Sequence, residues 1–121
     1  MTYRIDFDSS INIVHVIYGN NVTLQERIEA VENVCSHYID FKPLKILVDV
    51  RDLVMSLSFH EQQSFGEYLA THRGLINARV AVVHKSSHNP NVVIDTVAFS
   101  NGYKLAEFKN IKDAEAWLSR C

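Results

Sequence analysis

The sequence has 121 residues, a formal net charge of −2 at pH 7, and 47% apolar and 21% charged residues. We expect one domain spanning residues 1–121, with the composition of an ordinary globular protein. Lys and Arg form no runs, which argues against nucleic acid and anionic membranes as partners. Every apolar stretch is shorter than the ~20 residues that a membrane-spanning helix needs.

Two cysteines, Cys35 and Cys121, lack the spacing of a metal-binding motif, and we interpret both as free thiols in a reducing compartment. The first residues lack the apolar core of a secretory signal peptide. Both observations predict a cytoplasmic protein.

The N-terminal segment predicts two strands. Residues 3–8 alternate apolar and charged side chains, and residues 11–18 are apolar on both faces except for His15. The short polar break between them predicts an antiparallel hairpin. Residues 19–21, Gly-Asn-Asn, are expected to end the second strand.

The clearest helix follows this hairpin. Thr23 and Glu26 fit a capping box, in which each side chain accepts a hydrogen bond from the backbone of the other residue. Apolar residues then recur at helical spacing and predict the buried face: Leu24, Ile28, Val31, Cys35 and Tyr38.

Two almost wholly apolar segments, residues 44–50 and 78–84, predict strands at the centre of a sheet. Between them, residues 51–57 are expected to form a loop. Ser58 and Glu61 then form a second capping box, which opens a helix that extends to about His72.

Residues 92–99 are ambiguous, because their β-branched content favours a strand while their position after a buried strand favours a helix. We predict a helix, with Asn89 as its cap and Pro90 in its first position. Residues 103–108 predict a last strand, and Asn110 caps a last helix. The order ββαβαβαβα predicts an α/β fold: a mostly parallel five-stranded sheet, an antiparallel N-terminal hairpin and about four helices.

Ligands of open α/β sheets bind beyond the carboxyl ends of the strands. That rule selects residues 19–22, 49–58 and 85–91. The candidate binding or regulatory residues are eight polar residues from the last two segments: Asp49, Arg51, Ser56, Ser58, Ser86, Ser87, His88 and Asn89.

Each of these candidates has a structural alternative. Asp49 could bind a cation, but a metal site needs more carboxylates than Asp52 supplies, so we favour a role in holding the next loop. Ser58 is most simply a helix cap, with regulatory phosphorylation as the alternative. Residues 86–89 could bind an anion, but no glycine-rich loop is present, which favours a polar turn.

The six histidines include no pair with zinc-motif spacing, and the common catalytic motifs are missing from the sequence. We predict that His15 is a structural histidine in the core or at an edge of the sheet. Acid–base chemistry by Asp49, His84 and His88 is the weakest hypothesis. We therefore predict no enzyme, no cofactor and no metal site.

The helix at residues 92–99 is apolar nearly all round, so the sheet should leave part of it uncovered. That surface predicts a homodimer interface or an apolar ligand groove, unless neighbouring elements bury the helix. The residues concerned are Val92, Val93, Ile94, Val97 and Phe99.

The sequence resembles the STAS-like family of small bacterial proteins in three segments. These are ILVDV at residues 46–50, RVAVV at residues 79–83, and the ending that starts at Glu107-Phe108 and continues through DAEAWL at residues 113–118. That family is related in fold to the anti-sigma-factor antagonists, and the same general fold occurs in CRAL-TRIO domains, which bind apolar ligands. In the antagonists a kinase phosphorylates a serine within an Asp-Ser-Ser-Gly stretch. Ser58 falls at the matching place, but Leu57 and His60 replace the Asp and the Gly.

The resemblance implies a non-catalytic STAS-like regulatory module that acts through protein–protein contacts. We expect it to self-associate through the helix at residues 92–99. The alternative is a module that binds a small apolar or lipid-like ligand between that helix and the sheet.

Overall fold

The computed structural model describes residues 3–120. One sheet has the strand order β1-β2-β3-β4-β5, in which β1 and β2 pair antiparallel and all later neighbours pair parallel. This confirms the predicted α/β fold with its N-terminal hairpin and four helices. The elements are β1 (Tyr3–Asp8), β2 (Ile13–Asn21), α1 (Leu24–His37), β3 (Lys45–Val54), α2 (Phe59–Thr71), β4 (Arg79–Val83), α3 (Val92–Ser100), β5 (Leu105–Phe108) and α4 (Ile111–Ser119).

The first three helices pack on one face of the sheet. Each connects a strand to the next parallel strand in the same direction, so right-handed crossovers bring α1, α2 and α3 to the same side. Their buried side chains join those of the strands in the main core. The helix α4 covers the opposite face over a smaller cluster, whose buried members are Ile13, Leu47, Ala81, Val83, Ala114 and Leu118.

The same topology aligns three helix N termini. Because α1, α2 and α3 each follow a parallel strand, all three begin at the edge of the sheet where those strands end, which we call the carboxyl edge. The two predicted capping boxes, Thr23 with Glu26 and Ser58 with Glu61, are both present. No helix within residues 3–120 has the length and hydropathy needed to cross a membrane.

Two strands are longer than the sequence predicted. Residues 19–21 continue β2 and residues 51–54, expected to be loop, continue β3. Gly19 pairs with Asp52 after a register shift that follows Ile17. The Gly-Asn-Asn segment was therefore wrongly predicted to end β2. Asn20 does adopt the left-handed conformation typical of turns, with φ of 54°, but it does so at an irregularity within the strand pair, and the pairing continues beyond it.

The buried face of α1 is also displaced from the prediction. Its buried residues are Arg27, Ala30, Val34 and Cys35. Of the predicted stripe, Leu24, Ile28 and Val31 are partly buried at the margin of the core. Cys35 is a free, buried thiol, whereas Cys121 lies outside the described residues.

The ambiguous segment is a helix, α3, as predicted, but its cap was assigned wrongly. The helix begins at Val92 with Asn91 as its N-cap residue, and the Asn91 side chain accepts no capping hydrogen bond from the backbone of the first turn. Asn89 instead accepts a hydrogen bond from the Asn91 backbone N–H at 2.9 Å. This Asx turn leads the chain into the helix.

Candidate functional site

A small cavity lies between the sheet and the helices α1, α2 and α3, with a volume of about 50 Å³. This is about a third of the ~150 Å³ engineered cavity that holds benzene, so only a small molecule fits in this conformation. Most of the lining side chains are apolar and come from β2, β3, β4 and the three helices, among them Val16, Val34, Ile46, Phe65, Val80 and Val82.

The polar end of this cavity is formed by Arg27, which has no exposed surface. Its guanidinium carbon lies 5.3 Å from the ring centroid of Tyr18 and 5.8 Å from that of Phe65. The Nη1 group donates to Oδ1 of Asn91 at 2.9 Å, and Nη2 lies 3.9 Å from the sulfur of Met55. The buried Nε has no hydrogen-bond partner within residues 3–120.

A chain of hydrogen bonds connects the arginine to a buried carboxyl group. The Asn91 Nδ2 group donates to Oδ1 of Asp95 at 3.1 Å. Asn89 Nδ2 donates to Oδ2 of Asp95 at 3.0 Å and to Oε2 of Glu107 at 2.6 Å. Burial, followed by hydrogen bonding to Glu107, raises the pKa of Asp95 to about 8. Asp95 therefore keeps its proton at neutral pH, and the positive charge of Arg27 faces a neutral carboxyl.

Asp49, for which the sequence favours a role in holding the next loop, binds Arg51. It accepts hydrogen bonds from Arg51 Nε at 3.0 Å and Nη2 at 2.7 Å, and from the Arg51 backbone at 3.1 Å. Burial opposes ionisation, but the hydrogen bonds from Arg51 hold the pKa of Asp49 below its usual value. Its register partner on β4 is Val83, whose side chain lies in the cluster under α4, so Asp49 faces away from the cavity.

The other polar candidates are distributed along the carboxyl edge. Ser58 Oγ accepts from the Glu61 backbone N–H at 3.1 Å, which is its predicted role as a cap. Ser56, Ser86, Ser87 and His88 are exposed. The last three belong to a turn in which the His88 N–H donates to the Lys85 carbonyl. Asn89, which follows this turn, donates to Asp95 and so belongs to the chain of hydrogen bonds that connects Asp95 with Arg27.

The histidines do not converge on Asp49. His84 Nδ1 lies 2.7 Å from the Lys85 carbonyl oxygen, and His15 Nε2 lies 3.4 Å from Oε2 of Glu115 on α4. Within residues 3–120, no three His, Cys, Asp or Glu side chains come together in a way that could hold a metal ion.

The apolar surface expected on α3 is smaller than the sequence suggested. Ile94 is fully buried, and Val93 and Val97 are partly buried, which leaves Val92 and Phe99 exposed by 50% and 64%. Ile94 and Val97 pack closely against α2 at its glycine, Gly66. Asp95, a charged residue within this mostly apolar helix, is a buried part of the cavity lining.

Sequence reasoning missed the residues that form the polar end of the cavity: Arg27, Asn91 and Asp95. One signal was available. Arg27 precedes Ala30 and Val34 by three and seven residues, which is the spacing of one helix face, so a charged residue stood on the buried stripe.

Comparison with known proteins supports the fold. No family model and no curated protein matches the chain. A solved structure from Shewanella loihica, described as an uncharacterized protein of the DUF3478 family with a SpoIIAA-like fold, matches with a TM-score of 0.62 and 18% identity. The match covers 96% of this chain and 91% of that protein. The chain therefore has a SpoIIAA-like, that is STAS-like, fold, which confirms the resemblance at the level of architecture.

Proposed function

We propose that this protein is a non-catalytic STAS-like binding module that takes a small apolar ligand into the cavity between the sheet and helices α1 to α3. The cavity itself carries the proposal. Protein interiors are close-packed, and by the usual relation of cavity volume to stability a core that closed over 50 Å³ would gain about 1 kcal/mol. An apolar space that is kept open at this cost is best explained by an occupant.

The lack of a catalytic role is part of the same proposal. Asp49 is held by Arg51, and Ser58 caps α2. His84 is directed to a backbone carbonyl, and His88 is exposed on a turn. A general acid or base must reach the reacting group, and these side chains are engaged or separated.

Titration calorimetry with straight-chain alcohols of increasing length tests the proposal. We expect affinity to rise with chain length and to fall once the chain exceeds the cavity. Val34→Ala enlarges the cavity and should move this optimum to longer chains. Val83→Ala is the matched control, because Val83 is equally buried but lies on the α4 side of the sheet. Failure of the wild-type protein to bind any alcohol, and of native mass spectrometry to detect a co-purified ligand, would contradict the proposal.

Self-association through α3 is a second candidate, supported by the exposure of Val92 and Phe99. Seven residues separate them, about two helical turns, so both lie on one side of the helix. A stable interface buries about 800 Å² on each partner, so this contact would have to extend beyond the pair.

Light scattering over a concentration range tests this candidate. We expect Phe99→Ser to lower the average mass at high concentration. Ile76→Ser is the control, since Ile76 is exposed to a similar extent, 67%, in the segment before β4. A wild-type mass that stays monomeric throughout would contradict self-association. The identity of a protein partner and the cytoplasmic location remain predictions.

A further inference from the structure

We propose that the ligand of this cavity is a small monocarboxylic acid, whose carboxylate binds the side of the Arg27 guanidinium formed by Nε and Nη2. The inference rests on the proposed function, because it assigns the polar end of a ligand whose apolar part fills the cavity. The observation behind it is the Nε atom of Arg27, which is buried and without a partner in residues 3–120.

The hydrogen bonds of the guanidinium show which edge lacks a partner. The Arg27 Nη1 group donates to Asn91, while the one neighbour of Nη2 within residues 3–120 that forms a polar contact is the distant sulfur of Met55, at 3.9 Å. In arginine, Nε and Nη2 point the same way and together match the two oxygens of a carboxylate. Arg51 binds Asp49 through this same pair of nitrogens, at 3.0 and 2.7 Å. The edge that Arg51 satisfies within the chain is the edge that Arg27 leaves unpaired.

The electrostatics around Arg27 favour an anion that comes from outside the chain. A buried charge without a counter-charge is costly, and Asp95, the carboxyl group linked to Arg27 through Asn91, has a raised pKa of about 8 and stays neutral at pH 7. Burial also keeps Tyr18 neutral, because it raises the pKa of that phenol to about 12. Helices α1, α2 and α3 begin at the carboxyl edge, where their dipoles add positive potential.

The shape of the site limits the ligand to one acidic group on an apolar body. The cavity walls beyond Arg27 are formed mainly by aliphatic and aromatic side chains, and Arg27 is the cation among its lining residues. A second carboxylate on the ligand would therefore lie against apolar surface, which is strongly unfavourable.

The test compares two ligands that differ only in the end group: a straight-chain carboxylate and the alcohol of the same chain length, each titrated calorimetrically at neutral pH. We expect the wild-type protein to bind the acid at least tenfold more tightly than the alcohol. In Arg27→Met, which keeps a side chain of similar length without the charge, this preference should disappear. The dissociation constant of the alcohol should then stay within threefold of the wild-type value. Val34→Ala is the control, because it should shift both affinities together and leave their ratio unchanged.

The outcomes separate this inference from the proposed function. Equal binding of acid and alcohol by the wild-type protein would overturn the carboxylate assignment and leave the cavity proposal standing, with Nε served by water. Binding of neither would overturn both proposals. If Arg27→Met does not fold, the wild-type ratio alone decides. Arg27→Lys, which retains the charge but not the two-nitrogen edge, then serves as the second variant and should lose most of the preference.

Discussion

Replacement of Gly66 by alanine tests how closely α2 and α3 pack above the cavity. A Cβ atom on residue 66 would lie 2.8 Å from the Cβ of Val97 and 2.9 Å from the backbone oxygen of Ile94. The backbone oxygen cannot swing away as a flexible side chain would, and Ile94 is itself fully buried. The helices must therefore separate, which would also displace Asp95, the residue after Ile94.

The magnitude follows from two opposed effects. Alanine is preferred over glycine inside a helix by about 0.5–1 kcal/mol, whereas forcing an extra methyl group into a packed contact costs about 1–3 kcal/mol. We expect Gly66→Ala to lower the free energy of unfolding by about 1–2 kcal/mol. For a chain of this size that corresponds to a fall in Tm of roughly 4–8 °C. Urea titration followed by circular dichroism measures the change directly.

Gly19→Ala provides the matched control. A Cβ at Gly19 would have no heavy atom within 4 Å, so this replacement should leave the stability unchanged or raise it by up to about 1 kcal/mol. If Gly66→Ala is as stable as the wild-type protein, the close approach of α2 and α3 described above is wrong. The placement of Asp95 at the cavity would then need revision as well.

Two further changes test the cap of α2 and the buried carboxyl of α3. Ser58→Ala should lower the free energy of unfolding by about 1 kcal/mol. Ser58→Asp keeps an acceptor for the Glu61 N–H, so it should lower the free energy of unfolding by less. Equal losses for the two variants in urea titrations would argue against the cap. Because the pKa of Asp95 is raised in the folded protein, the contribution of this group to stability is fully present below its unfolded pKa, near 4, and declines as the pH rises towards 8. Asp95→Asn should flatten that decline, and stability curves that stay parallel from pH 5 to 8 would contradict the assignment.

Features of the fold that depend on neighbouring residues could be predicted from the sequence. The capping boxes at Thr23 and Ser58 need only residues three positions apart, and both are present. The apolar runs of β3 and β4 correctly identified central parallel strands. Local sequence patterns gave a wrong prediction where the secondary structure depends on pairing with residues distant in the chain. Residues 19–21 carry turn chemistry, yet they pair with residues 52–54 and remain strand.

The polar end of the cavity could not be predicted for the same reason. Arg27 and Asn91 are 64 positions apart in the chain, and no local pattern links them. A charged residue on a helix is ordinarily assigned to the solvated face, so the predicted buried stripe runs through Ile28 and Val31 instead. Asp95 likewise stands in a mostly apolar helix, where no local pattern predicts that a carboxyl group is buried. A polar residue at a buried position is the informative exception, and its meaning depends on tertiary contacts.

The stability of Arg27→Met without ligand distinguishes a structural arginine from a functional one. If Arg27 serves stability, its replacement should lower the free energy of unfolding by about 2–5 kcal/mol, because its hydrogen bond to Asn91 and its contacts with two rings are lost. Replacing an arginine kept for a ligand should cost much less stability, because methionine fills the space and removes a buried charge that no anion within residues 3–120 balances. We expect the free energy of unfolding of Arg27→Met to lie within about 1 kcal/mol of the wild-type value in urea titrations. A loss above about 2 kcal/mol would mean that the rings and Asn91 suffice to explain the burial of Arg27. The unpaired Nε would then carry no information about a ligand.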